Sequence, residues 1–348
     1  MSAWDHTARF SVVIVTMARP EPLRRALQSV ARELPDDGEV IVVDGDPKRS
    51  AEPPVRELQE RFPGLDVRYI ASRPGVTLQR NVGIDAARRD VVVFVDDDCR
   101  LERGVFEVLA CAYGDRAIVG VTGRVERRAR ARLGPESHSR LRWLLVGAGR
   151  QGTMNSYGLR RPIVDVDKAR DVEYMCGAFM SARRDVAASV RFDETLSGYG
   201  LGEDDDFSYR LSRVGRVRYE PAAAIFHDEL GFAGRDRQRV DRIRVVNRAY
   251  LFRKNFPQTR RAKTRFAVLM AMLCVHRVLN REWSGLRGLL GGMREVRRTR
   301  SPGTRLSPGA ALLQPLAAVR LVSTGQVALV FAAGLLMAIG IDHFFEPW

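Results

Sequence analysis

The chain has 348 residues, 45% of them apolar and 28% charged, enough for a large folded domain with something extra, and neither disordered nor a small disulfide-stapled scaffold. Its formal charge of +15 is concentrated, because residues 235–305 hold 20 Lys or Arg against four acids, a local net of +16, and the remainder is close to neutral. The four cysteines, Cys99, Cys111, Cys176 and Cys274, show no CxxC and no ligand-like spacing to the five histidines, which predicts reduced thiols in a cytoplasmic protein and neither a zinc site nor a disulfide framework.

The opening MSAWDHTARF has no apolar stretch, so no cleaved secretory signal is expected. Residues 10–16 (FSVVIVT) read as a buried strand, and Leu23, Ala26, Leu27 and Val30 fall at helical spacing within 23–34. A second strand is predicted at 39–44 (EVIVVD), a helix at 54–62, a short strand at 67–70 and a helix at 77–87. Next comes 91–99, VVVFVDDDC. This βαβαβαβ order predicts parallel strands with crossover helices.

The run VVVFV suits a central strand buried on both faces, and three carboxylates cannot continue into that core without a cation or neutralisation. Asp96, Asp97 and Asp98 therefore belong at the strand's carboxyl end, the edge where open α/β sheets bind ligands. Clustered oxygens there suit a hard ion such as Mg²⁺ or Mn²⁺ carrying a phosphate. The same residues are consistent with an acidic turn capping the next helix.

Beyond the triple Asp, a helix is predicted at 101–112, a strand at 117–123, long loops over 124–171 with one short helix near 141–146, a strand-like run at 172–181 and a helix start at Arg183. In 198–214 (GYGLGEDDDFSYRLSRV), Phe207, Leu211 and Val214 are helically spaced, which puts the acids Glu203 to Asp206 in the first turn. The helix dipole favours acids there, but does not account for four in succession after a Gly-rich loop.

The last third begins with a cationic helix predicted over 235–265, carrying Ile243, Val246, Tyr250 and Leu251. Residues 266–275 are apolar but too few to span a bilayer, 301–309 read as a linker, and 321–341 run 21 residues without a charge. At about 1.5 Å per residue that stretch is long enough for a hydrocarbon core of roughly 30 Å. Arginines upstream, with only Asp342, His343 and Glu346 downstream, then predict a cytoplasmic main domain anchored at the membrane face. A helix buried in the protein or in a dimer interface is the alternative, since Ser323, Thr324, Gly325 and Gln326 weaken the span.

Five blocks, SVVIVT, EVIVVDG, RPGVTLQRNVGIDAARRDVVVFVDDDC, EYMCGAFMSARRDV and GYGLGEDDDFSYRL, resemble in order and pattern the family 2 glycosyltransferases of the GT-A fold, over about residues 10–230. The resemblance implies a mixed, mostly parallel Rossmann-like α/β sheet with a C-terminal helical extension. Together with the charge and hydropathy pattern of the last third it divides the chain into a transferase domain at 1–232 (nucleotide-sugar half 8–123, acceptor half 124–232), a basic helical extension at 233–305, and a linker with the apolar helix at 306–348. It implies transfer of a sugar from a nucleoside-diphosphate donor, UDP-linked by preference, to a hydroxyl with inversion, assisted by Mn²⁺ or Mg²⁺. Asp96 and Asp98 resemble the metal-binding pair, with Asp97 an alternative to Asp96, and His227 resembles a histidine that completes the metal site in relatives. For His227 a structural hydrogen bond is equally in keeping with the sequence.

By the same resemblance Asp204 is the catalytic base and Glu203 orients the site or touches the acceptor, while Asp205 stays a rival to Asp204. Thr16 and Asp44 would contact the nucleotide, Arg80 the nucleotide or sugar, and Gly177 would form the acceptor-side wall. For Asp44, Arg80 and Gly177 the plain alternatives are a turn former, a solvated helix charge and a strand bulge. No QxxRW pattern is present, so a single-addition enzyme is expected, its acceptor a lipid-linked or cell-surface glycan precursor. A soluble transferase for a protein or small molecule is the competing expectation. A sugar nucleotidyltransferase would carry a Gly-rich, Lys-bearing loop after the first strand, where this chain has TMARPEP, and no nucleic-acid-binding signature accompanies the basic segment.

Overall fold

Strands β1 (Phe10–Thr16), β2 (Glu39–Asp44) and β4 (Val91–Asp96) are rich in Val and Ile and are buried on both faces, as interior parallel strands must be. Each fully buried Val, Ile or Phe contributes about 1.5–3 kcal/mol, so these three strands anchor the domain. The computed structural model describes residues 8–127, 149–163, 166–196, 200–228 and 236–298. The predicted helix near 141–146 and the uncharged stretch 321–341 lie outside them. Among the described residues no helix is long and apolar enough to cross a membrane.

The described elements follow the order β1, α1 (Pro20–Glu33), β2, α2 (Glu52–Arg61), β3 (Asp66–Ala71), α3 (Val76–Ala86), β4, β5 (Cys99–Leu101), α4 (Val105–Tyr113), β6 (Ile118–Arg127), β7 (Arg170–Val172), β8 (Phe179–Arg183), α5 (Arg184–Val190), α6 (Glu203–Leu211) and β9 (Arg216–His227). They form a mixed α/β sheet of order β3-β2-β1-β4-β8-β6-β9-β5, with β7 on β9. The block β3-β2-β1-β4 is parallel, and its register aligns Thr16 with Asp44 and Val15 with Asp96. Three of the candidate residues thereby arrive at one carboxyl edge. Gly83 of α3 faces Val13 so closely that a Cβ would overlap its side chain, and Gln79 donates to the Thr16 and Val43 carbonyls at 2.9 Å. Helix α3 is thus fastened at the sheet edge with Arg80 beside Asp96.

Three local expectations are corrected and one strand is added. The helix after the triple Asp starts at Val105, because Cys99–Leu101 pairs with β9 and Gly104, at φ +82°, turns the chain into α4. The run 172–181 is split between β7 and β8, with Gly177 in the irregular interval. Strand β9 is unheralded because Pro221 and three alanines break its alternation; they lie where β6 and β9 shift register after Gly123, a bulge in which Pro needs no ladder hydrogen bond. The cationic segment forms three helices, α7 (Arg237–Asn255), α8 (Arg260–Leu279) and α9 (Trp283–Arg298), because Pro257 follows α7 and Thr259 caps α8 by accepting from the Ala262 N–H.

Two units are distinguished by their internal contacts. The first holds the sheet with residues 150–154 and 160–163; the second holds 155–159 and α7–α9. Within the second, Gly288 and Gly292 lie against the Gln238 and Arg242 carbonyls of α7, where a Cβ would collide. Asp241, fully buried, is held by Arg277 Nε at 2.8 Å and by Arg244.

Candidate active site

At the edge of β1 and β4, Thr16 Oγ1 donates to Asp97 Oδ2 at 2.6 Å. The Arg19 guanidinium bridges the next two acids, donating to Asp97 Oδ1 at 2.6 Å and to Asp98 Oδ2 at 2.7 Å. The β5–β9 register sets Cys99 opposite His227, which brings His227 Nε2 within 3.0 Å of Asp98 Oδ1. Among the described residues Asp98, Cys99 and His227 offer ligand atoms within 4.8 Å of one another. A carboxylate and an imidazole fit a divalent ion such as Mn²⁺, whereas burial holds the Cys99 thiol well above its ordinary pKa and so protonated. Asp96 is not in that group. Its Oδ1 accepts from Arg80 NH2 at 3.2 Å.

Arg80, almost fully buried, also donates to Glu203 Oε1 at 2.9 Å and to the Gly177 carbonyl at 3.0 Å, and lies 5.3 Å from the Phe192 ring centre. It is therefore no solvated helix charge; it links the β4 edge to the start of α6. Gly200 (φ +69°) and Gly202 (φ +91°) lead into α6 in the left-handed region, which places Glu203 and Asp204 at its first turn. Asp204 accepts from the Gly177 N–H at 3.1 Å, from the Asp205 N–H at 2.9 Å, and on both oxygens from Arg160 NH2 at 3.2 and 3.1 Å. Arg160 Nε also pairs with Asp205, and its guanidinium lies 5.2 Å from the Tyr174 ring centre.

These environments push the carboxylates apart. Burial raises Asp97 to about 7 against Arg19 and Thr16. Burial also works upward on Asp98, but the hydrogen bond with His227 and the Arg19 contact outweigh it and hold Asp98 well below the ordinary range. Burial and the neighbouring Asp204 carboxylate drive Glu203 well above it, with Arg80 opposing. The result is an ionised Asp98 on one side and, on the other, a Glu203 that holds its proton more tightly than a free carboxyl.

Of the remaining sequence candidates, Asp44 is fully buried and accepts from the Asp46 and Ala51 N–H groups and Tyr69 OH, closing the loop after β2 as a turn former does. Gly177 abuts Asp204, where a Cβ would come within 3.3 Å of Oδ2. Arg19, Arg160 and Cys99 were not singled out from the sequence. For Arg19 and Arg160 no local signal exists, since both act on acids more than 40 residues away.

The family described as Glycosyl transferase family 2 matches residues 11–190. Over 222 residues the chain is 28% identical to the pre-mycofactocin glycosyltransferase of Mycobacterium tuberculosis (strain ATCC 25618 / H37Rv), covering 63% of this chain and 42% of that protein. It is 27% identical over 225 residues to the succinoglycan biosynthesis protein ExoM of Rhizobium meliloti (strain 1021), covering 63% of this chain and 66% of that one. The chain thus spans less than two thirds of either relative. In fold it is similar to the mannosyltransferase PcManGT from Pyrobaculum calidifontis in complex with GDP-Man and Mn²⁺ (TM-score 0.52, 18% identity, 97% of this chain and 87% of that). It is also similar to GalNAc-T7 with UDP, GalNAc and Mn²⁺ (TM-score 0.51, 18% identity, 69% of this chain and 48% of that).

Proposed function

This chain belongs to the family 2 glycosyltransferases, and from that premise we propose that it transfers a sugar from a nucleoside-diphosphate donor to a hydroxyl, with inversion, using a divalent ion. The observation that carries the proposal is the two-sided site, with Asp98 and His227 on one side, Asp204 on the other, and Arg80 bonded to both Asp96 and Glu203 between them. A divalent ion bound by Asp98 and His227 would supply charge to offset the departing diphosphate. Thr16 fixes Asp97, Arg19 pairs with Asp97 and Asp98 as a cation that a divalent ion would compete with, and Arg80 keeps Asp96 and Glu203 in place. Asp204 accepts the acceptor hydroxyl's proton as the oxygen attacks the anomeric carbon from the face opposite the diphosphate. That the two similar folds hold Mn²⁺ with UDP or GDP-Man supports a nucleotide-sugar donor.

The acceptor we favour is a lipid-linked or cell-surface glycan precursor at the cytoplasmic membrane face. The name of the Rhizobium relative, the uncharged stretch 321–341 and the cationic helices α7–α9 support it. A screen of UDP- and GDP-sugars with Mn²⁺ or Mg²⁺, scored by nucleotide release, tests the chemistry. Asp98→Ala and Asp204→Asn should each lose activity at least a hundredfold; undiminished turnover in Asp204→Asn rejects it as the base, and metal-independent turnover rejects the ion site. Recovery of the full chain in a detergent-free soluble fraction rejects the membrane acceptor.

A further inference from the structure

The base proposed above is held in a state in which it cannot yet serve. Asp204 accepts four hydrogen bonds, two on each oxygen, as many as its carboxylate has in-plane lone-pair positions. Oδ1 accepts from Arg160 NH2 at 3.2 Å and from the Asp205 N–H at 2.9 Å; Oδ2 accepts from the same NH2 at 3.1 Å and from the Gly177 N–H at 3.1 Å. The two backbone donors are fixed by the start of α6 and by the turn before β8. Arg160 NH2 supplies the other two contacts and is the one side chain among the three donors, so it is the donor that can be exchanged.

Its other attachments make such an exchange inexpensive. Arg160 Nε pairs with Asp205 and the guanidinium rests near the Tyr174 ring, so NH2 can leave Asp204 while the cation keeps a carboxylate and an aromatic face. Both Arg160 and Asp204 are more than nine-tenths buried, so bulk water does not compete freely for the contact.

We propose that Arg160 is a positioning residue that guards the base: it fills the proton-accepting positions of Asp204 until an acceptor hydroxyl takes its place, and so protects the donor sugar from water. The guarded side reaction is donor hydrolysis. In it the bond between the anomeric carbon and the diphosphate oxygen breaks with its electron pair leaving on the diphosphate, a water oxygen bonds to that carbon, and the water's proton passes to Asp204. The products are free sugar and nucleoside diphosphate. This inference rests on Asp204 being the base.

Because hydrolysis needs no acceptor, the test needs none either. Full-length wild type, Asp204→Asn, Arg160→Met, Arg160→Lys and Arg160→Met/Asp204→Asn are incubated with Mn²⁺ and UDP-glucose, UDP-N-acetylgalactosamine or GDP-mannose, and nucleoside diphosphate release is followed. Arg160→Met should release nucleotide about tenfold faster than wild type. Arg160→Lys, whose single ammonium cannot hold both acids as the planar fork does, should fall between them. The double variant should return to background. A merely structural role would lower release in every variant and raise it in none. Release at or below the wild-type rate from Arg160→Met, or from Arg160→Lys should the Met variant not fold, overturns the guard; if Asp204→Asn still abolishes the wild-type release, the base assignment stands. A rise that survives Asp204→Asn overturns both.

Discussion

Replacing Arg80 with Met exposes the tie between the two sides of the site. The guanidinium is almost fully buried and serves Glu203 at 2.9 Å, Asp96 at 3.2 Å and the Gly177 carbonyl at 3.0 Å. Methionine preserves much of the packing against Phe192 but leaves two carboxylates without their cation. Removing one partner of a buried ion pair costs about 3–5 kcal/mol, because the charge left behind is uncompensated. For a domain of this size roughly 2–4 °C of melting temperature follows each kcal/mol, so Arg80→Met should melt about 6–20 °C below wild type near pH 8. The pH dependence has a definite sign. Glu203 already titrates above its ordinary range in the folded protein, and losing Arg80 raises it further, so toward pH 8 the folded variant holds more proton on Glu203 than folded wild type does and its stability relative to wild type falls as pH rises. The deficit should therefore be smaller at pH 5.5 than at pH 8, and Glu203→Gln in the Arg80→Met background should recover part of it. Thermal unfolding by circular dichroism at both pH values is the assay. A loss below about 2 °C, or an equal loss at both, would refute the view that Arg80 compensates buried charge.

Three further outcomes are expected. Gly177→Ala sets a methyl about 3.3 Å from Asp204 Oδ2, and a base displaced by a few tenths of an ångström should lose roughly tenfold in kcat with the melting temperature held within about 2 °C; wild-type kcat in nucleotide release would contradict it. Asp97 titrates near 7 in the folded protein, well above its unfolded value, so its contribution to stability is present at low pH and lost as pH rises toward 7. The melting temperature of Asp97→Asn relative to wild type should accordingly climb between pH 5 and 8, and a flat difference would speak against the buried proton. Arg19→Gln removes a cation that contacts Asp97 and Asp98, so Mn²⁺ titrated calorimetrically into the nucleotide-free protein should bind several-fold tighter; weaker binding would show that Arg19 supports the ion.

Much was legible in the residues because it depends on local pattern. Runs such as FSVVIVT, EVIVVD and VVVFVD can only be interior strands, three acids at the end of one of them can only lie at the sheet's edge, and helical spacing behind GEDDD puts those acids in a first turn. Those facts determined the α/β class, the family resemblance and the stretches from which a site had to be built. Local pattern did not disclose β9, whose alternation is broken by a bulge at Pro221, nor the division of the cationic segment into three helices. Only the tertiary structure decided which acid meets which partner. Asp98 lies beside His227 because β5 pairs with β9; Asp96 turns to Arg80 because Gly83 lets α3 sit close on β1; Asp204 is held by Arg160 from a loop 44 residues earlier. Pairings over such distances depend on strand register and on how closely backbones approach, and neither leaves a periodic trace in a sequence.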